Sequence, residues 1–240
     1  MGLNFFQMIK NILFLIFILF SLFSGFGQNQ TKIEYRYLNF IKEYSSYDTT
    51  KQKTPGYEIN KIIESLPFIL VYDGYKSVFK IQERMGVGDK SIRHNQLTTM
   101  LPKTYIDFKN KTRYDHSEIS GQTFLIKEKL NVDWKIINEK KIIKGYRCKK
   151  AIQFDENGNI KIEAWFAPEI PLSIGPSYYI GLPGLVISTK QFNNKGEAYA
   201  GFEVVNIDFS KQKKVNIPNH DTITEKEFTN LMRGSRKKFN

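Results

Sequence analysis

The chain has 240 residues, of which 41% are hydrophobic and 14% aromatic, and its 36 Lys and Arg outnumber 24 Asp and Glu for a formal charge of +12. That length and apolar content can bury a good core, in one or two domains. The single cysteine, Cys148, excludes a disulfide within the chain, and its distance from the N-terminus excludes a lipid-modified N-terminal cysteine.

Lys10, the unbroken apolar run from Ile12 to Phe20 and the small residues up to Gly25-Phe26-Gly27 have the order of a signal peptide, with cleavage expected before Gln28. A retained anchor is the competing reading, but a spanning helix wants about 20 apolar residues and this run meets serine and glycine first. Removal of residues 1–27 would leave 213 residues and a charge of +11, Lys10 being the one charge lost. On an exported protein this surplus points to anionic envelope polymers or lipid head groups before nucleic acid; a merely lysine-rich surface is the plain alternative. No membrane span is expected after cleavage.

Thr31 to Phe40 alternates as a first strand, and Ser45 to Gly56 reads as a loop. Glu58 to Ser65 fits either a helix or a strand. Pro67 to Tyr72 and Lys76 to Ile81 flank Asp73-Gly74, a hairpin signal. Arg84 to Thr99 is polar and predicts a loop. Strand-like runs resume at Tyr105 to Phe108, Thr123 to Lys127 and Trp134 to Ile137.

A second hairpin is expected around Glu156-Asn157-Gly158. Tyr146, Cys148, Ile152 and Phe154 share one strand face, as do Ile160, Ile162, Ala164 and Phe166. A three-residue loop with Gly158 left-handed keeps both sets together, pairing Phe154 with Ile160, Ile152 with Ile162 and Cys148 with Phe166. Trp165 would then lie opposite Lys149 on the outer face, as a contact residue or beneath a covering loop.

From Ala164 to Ile187 proline and glycine recur too often for a regular helix. Pro183 and Gly184 suit the two central positions of a type II turn, Gly184 supplying the positive φ. Two readings stand for this segment: Gly181, Leu182, Pro183, Gly184 and Leu185 form a turn that fixes strand register, or the loop presents Tyr178 and Tyr179 to a ligand. Val186 to Thr189 and Ala198 to Phe209 are further strands, and Thr224 to Arg233 is a helix opened by a Thr224–Glu227 capping box. The expected fold is mainly β: a curved antiparallel sheet or partly closed barrel with one short C-terminal helix. It forms a single domain over 28–232, followed by a basic tail over 233–240.

Trp134-Lys-Ile, Lys144-Gly-Tyr-Arg-Cys-Lys-Lys-Ala151, Ala164-Trp-Phe, Ile170-Pro-Leu-Ser-Ile-Gly-Pro176 and Gly181-Leu-Pro-Gly-Leu-Val186 stand in that order. Together they resemble the GLPGLI family of exported Bacteroidetes proteins, with Val186 where the family's name has isoleucine. The resemblance is strong over about a quarter of the chain and implies origin and compartment without a mechanism.

His94, His116 and His220 lie in separate regions without metal-ligand spacing, and neither a CxxC pair nor a G-x-S-x-G elbow occurs. Asp155 to Asn159 has the composition of a calcium loop but not its spacing. Cys148 reads as a small buried hydrophobe, with redox chemistry or intermolecular pairing as the alternative. No catalytic residue, metal site or cofactor is therefore assigned. The expected function is a non-catalytic envelope binding or interaction module for a hydrophobic or anionic ligand or another envelope protein. The competing class is an envelope hydrolase with residues scattered over several strands.

Overall fold

The computed structural model describes residues 31–41, 55–82, 103–119, 121–130, 132–210 and 214–237. The leader, the Arg84 to Thr99 segment, His94 and the last three residues lie outside them.

Strands β1 (Thr31–Asn39), β2 (Phe68–Tyr72), β3 (Lys76–Ile81), β4 (Lys103–Asp107), β5 (Thr112–Ile119) and β6 (Gln122–Lys129) form the first half. The second half comprises β7 (Lys135–Ile143), β8 (Tyr146–Phe154), β9 (Ile160–Ala167), β10 (Leu185–Phe192), β11 (Ala198–Asp208) and β12 (Asp221–Ile223). All join one unclosed sheet in the order β12-β6-β5-β4-β3-β2-β1-β11-β10-β9-β8-β7. Every pairing is antiparallel except β12 on β6. The mainly β, curved-sheet expectation holds.

The expected Asp73-Gly74 hairpin joins β2 and β3. Asp73 Oδ1 accepts from the amides of Tyr75 and Lys76 at 3.0 and 2.7 Å, and Gly74 has φ 93°. The segment open to either helix or strand is helical: α1 (Pro55–Ser65) begins on a proline, whose missing N–H costs nothing at a helix start, and packs against β1. Helix α2 (Glu225–Lys237) runs past the expected end at Arg233. Its capping box forms: Glu227 Oε2 accepts from the Thr224 amide at 2.7 Å, and Thr224 Oγ1 accepts from the Glu227 amide at 3.3 Å.

Strand β5 (Thr-Arg-Tyr-Asp-His-Ser-Glu-Ile) escapes the sequence reading because it lacks an apolar alternation. It is a strand because both edges are paired, to β4 and to β6. Directly opposed residues of an antiparallel pair share a face. Registers therefore carry one face from Asp115 through Thr104 and Phe79 to Leu70 and Ile33. That face holds the core. Phe68, Phe79 and Phe202 stack and abut at 5.1 to 5.6 Å, joined by Ile33, Tyr35 and Leu70.

The β8–β9 hairpin turns as expected, with Gly158 at φ 80° and Phe154 opposite Ile160, but its register then departs from the expectation. Lys161 is an extra residue in β9, so Gln153 faces Ile162, Lys149 faces Phe166, and Lys150 rather than Lys149 faces Trp165. A β-bulge shifts parity by one, which a strict two-residue period cannot register.

Candidate functional site

The proline- and glycine-rich segment between β9 and β10 fills the hollow of the curled sheet. Ile170, Ile174, Tyr179, Leu182, Leu185 and Val186 are all buried. It is anchored by backbone bonds: Leu185 N–H to the Ile170 carbonyl at 3.0 Å, Val186 N–H to the Ile174 carbonyl at 3.0 Å, and Gly181 N–H to the Ser173 carbonyl at 3.2 Å.

The turn itself differs from the expected type II. The Gly184 amide donates to the Leu182 carbonyl at 2.8 Å, which closes a three-residue γ-turn centred on Pro183. Gly184 has φ 155°, and a Cβ there would stand 2.3 Å from the Ala167 carbonyl oxygen. Close approach of two backbones is the stronger reason for glycine here.

Tyr178 and Tyr179, adjacent in sequence, reach opposite walls. The Tyr178 ring lies 4.6 Å from the Arg113 guanidinium on β5, while the Tyr179 hydroxyl accepts from Gln191 Nε2 on β10. Six strand steps separate β5 from β10. Laid flat, that would be about 29 Å at about 4.8 Å per step. One dipeptide spans the gap only because the sheet curls around it. Tyr179 is buried against Phe166, Leu182 and Val186, with Trp134 edge-on at 6.3 Å, and Trp134 Nε1 donates to the Ile180 carbonyl at 2.8 Å. Burial raises the Tyr178 hydroxyl and pushes the Tyr179 hydroxyl well above the usual phenol range.

Arg113 also bonds Glu128 Oε2 at 2.6 Å and lies 2.8 Å from Asp115 Oδ2, and Thr104 Oγ1 donates to Asp115 Oδ1 at 2.7 Å. Burial raises the Asp115 carboxyl, opposed by the Arg113 charge and the Thr104 hydroxyl. None of these four residues was singled out from the sequence. The signal was present as Arg-x-Asp, two charges on one strand face.

The sheet edge at β7 and β8 gathers a second group. A cavity of about 480 Å³ is bordered by Lys140, Lys141, Lys149 and Arg147, with Ile142, Cys148 and Pro168 as its apolar part. Glu169 is the acid of this lining, and it pairs with Arg147 at 3.3 Å. Trp165, expected on the outer face, instead belongs to the buried core with Cys148, Ala167 and Leu185; it donates from Nε1 to Glu163 Oε1 at 2.9 Å and has Lys141 Nζ 4.6 Å and Lys150 Nζ 5.8 Å from its ring centre. Lys150 also bonds Glu163 and Glu139, each at 3.2 Å. Ile142 is 73% exposed beside these cations. Cys148 is buried, and desolvation pushes its thiol up to about 11.

His116 and His220 meet edge-on at 5.6 Å, and burial, Lys103 and His220 lower the His116 pKa. Asp155 spends its carboxylate on the turn amides of Asn157 and Asn159, at 2.9 and 2.8 Å. Among the described residues no group of three or more His, Cys, Asp or Glu could hold a metal ion, and no helix is long and apolar enough to cross a membrane.

Residues 153–188 match a family model described as a protein of unknown function (Porph_ging). No curated protein matches the chain. Among solved structures, it is similar to PNGF-II in two crystal forms, C2 and P21, with TM-scores of 0.56 and 0.55 and 17% identity in each. The matches cover 86% and 87% of this chain and 33% and 34% of the PNGF-II chain. The chain thus spans about a third of that protein's length, and at this identity the likeness concerns the fold alone.

Proposed function

We propose that the chain is an exported, GLPGLI-type binding module without catalytic activity, one domain over 28–232, whose basic sheet edge takes an anionic amphiphile of the envelope. The carrying observation is the cavity of about 480 Å³ at β7 and β8, where Lys140, Lys141 and Lys149 border apolar surface and the acid Glu169 is already paired. A negatively charged head group would sit among the lysines and its apolar part along Ile142 and Pro168. Trp165 would hold Lys141 by cation–π attraction, worth about 0.5–1 kcal/mol at an accessible site. Gly181 to Leu185 serve the structure in this reading. The turn seats the segment whose tyrosines brace the curled sheet, and Tyr178 and Tyr179 act as that brace.

Co-sedimentation of the mature chain with vesicles tests the proposal. Retention on phosphatidylglycerol vesicles and release from phosphatidylcholine vesicles is expected; equal behaviour on both would sink it. The hydrolase reading draws support from Asp115, whose carboxyl is raised beside Glu128 on the concave face. Against it stands Arg113, which engages both carboxylates beneath the Tyr178 ring. A hydrolytic activity abolished by Asp115→Asn would establish that alternative.

A further inference from the structure

An open cleft of about 850 Å³ lies between the β8–β9 and β10–β11 hairpin tips, within the roughly 300–1,000 Å³ usual for small-ligand sites. We propose that it binds a neutral saccharide.

The two tips are the same device built twice. The Asp155 amide donates to the Asn159 carbonyl at 2.8 Å and the Gly158 amide to the Asp155 carbonyl at 3.1 Å. The Asn193 amide donates to the Glu197 carbonyl at 3.0 Å and the Gly196 amide to the Asn193 carbonyl at 2.9 Å. In each turn the first side chain accepts from the third and fifth amides: Asp155 Oδ1 from Asn157 and Asn159, and Asn193 Oδ1 from Lys195 and Glu197, all at 2.8 to 3.0 Å. The walls are therefore set before any ligand arrives, which lowers the ordering cost of binding.

Both flanking strands carry a bulge beside the cleft. Lys161 is the unpaired residue of β9, and Tyr199 is the unpaired residue of β11, between Ala198 opposite Phe192 and Ala200 opposite Gln191. Each bulged residue lines the cleft. Bulges re-aim side chains, and here they turn a cation and a phenol ring toward one space.

The lining chemistry selects the ligand. Tyr199 and Phe154, 38% and 43% exposed, offer flat apolar faces. The side chains of Asn157 and Asn194 have no hydrogen-bond partner among the described residues, so both amides are open to donate and accept. Lys161 and Lys195 balance Asp155 and Glu156, which removes any preference for a charged ligand. A wholly apolar ligand would desolvate the amides without pairing them. A peptide strand finds no free edge here, since β9 is paired to β8 and β10, and β10 to β9 and β11. A sugar ring combines C–H faces for the aromatics with hydroxyls for the amides.

Saturation-transfer NMR on the full chain tests this with maltotetraose, cellotetraose and chitotetraose, alongside a neutral decapeptide. At least one oligosaccharide should receive saturation, and its affinity should fall at least about fivefold in Tyr199→Ala and in Asn194→Ala, in keeping with loss of one stacking or hydrogen-bonding group. Asn194 is exposed at a turn, so that variant reads binding without a folding defect. Silence toward all three sugars, undiminished binding by both variants, or saturation of the peptide alone would overturn the assignment.

Discussion

The Tyr35 hydroxyl donates to the Val186 carbonyl at 2.8 Å in the buried interior, tying β1 to β10 across the intervening β11. Ile187, the next residue, is an extra residue in β10 between the pairs Val186–Phe166 and Ser188–Trp165. The bond thus holds the strand where its ladder is locally interrupted. Tyr35→Phe keeps the ring and strands a buried carbonyl, so it should cost about 1–3 kcal/mol in urea unfolding. No change in midpoint would mean the carbonyl finds another donor.

Two glycines should respond differently to alanine. At Gly158 a Cβ meets nothing within 4 Å, and Gly158→Ala should cost only the left-handed backbone penalty of about 1–2 kcal/mol. At Gly184 the Cβ would collide with the Ala167 carbonyl at 2.3 Å, and Gly184→Ala should destabilise more than Gly158→Ala in the same urea series. The reverse order would show that the motif turn tolerates displacement.

Burial alone would raise the Glu163 carboxyl, but hydrogen bonds from Trp165 and Lys150 and the charge of Lys150 hold it below its ordinary value. A depressed folded pKa means stability present above the unfolded pKa, near 4.3, and lost as pH falls through the folded value. Glu163→Gln should flatten the fall in thermal midpoint below about pH 4.3. An unchanged acid slope would assign that loss to other carboxylates.

The raised Cys148 thiol predicts chemical silence. Its folded value of about 11 keeps it protonated through pH 8, and its sulfur is buried. Iodoacetamide at pH 8 should label it only in denaturant. Rapid labelling of the native chain would indicate that β7 and β8 open.

Vesicle retention should follow the lysines bordering the cavity at β7 and β8. Lys141→Glu with Lys149→Glu should abolish it, and about 1 M salt should weaken wild-type binding by shortening the screening length to about 3 Å. Retention that survives both would leave Ile142 and its apolar surroundings as the binding surface.

The strands rich in apolar residues, β1, β2, β3, β8, β9 and β11, were legible because a two-residue period follows from chain geometry alone. So were the Asp73-Gly74 turn, the left-handed Gly158 and the Thr224–Glu227 capping box, whose bonds close within a few residues. β5 was not legible: Arg113 and Asp115 occupy a core-facing position that sequence patterning reserves for apolar side chains. They are tolerated there because Glu128, Thr104 and Tyr178 arrive from other elements. The extra residues Lys161, Ile187, Tyr199 and Val205 were equally hidden, since a bulge exists only relative to the partner strand. Local pattern therefore determined most of the elements and turns of this protein. Tertiary structure decided which faces meet, because parity, burial of charge and the curl that lets Tyr178 and Tyr179 touch opposite walls all depend on strands distant in sequence.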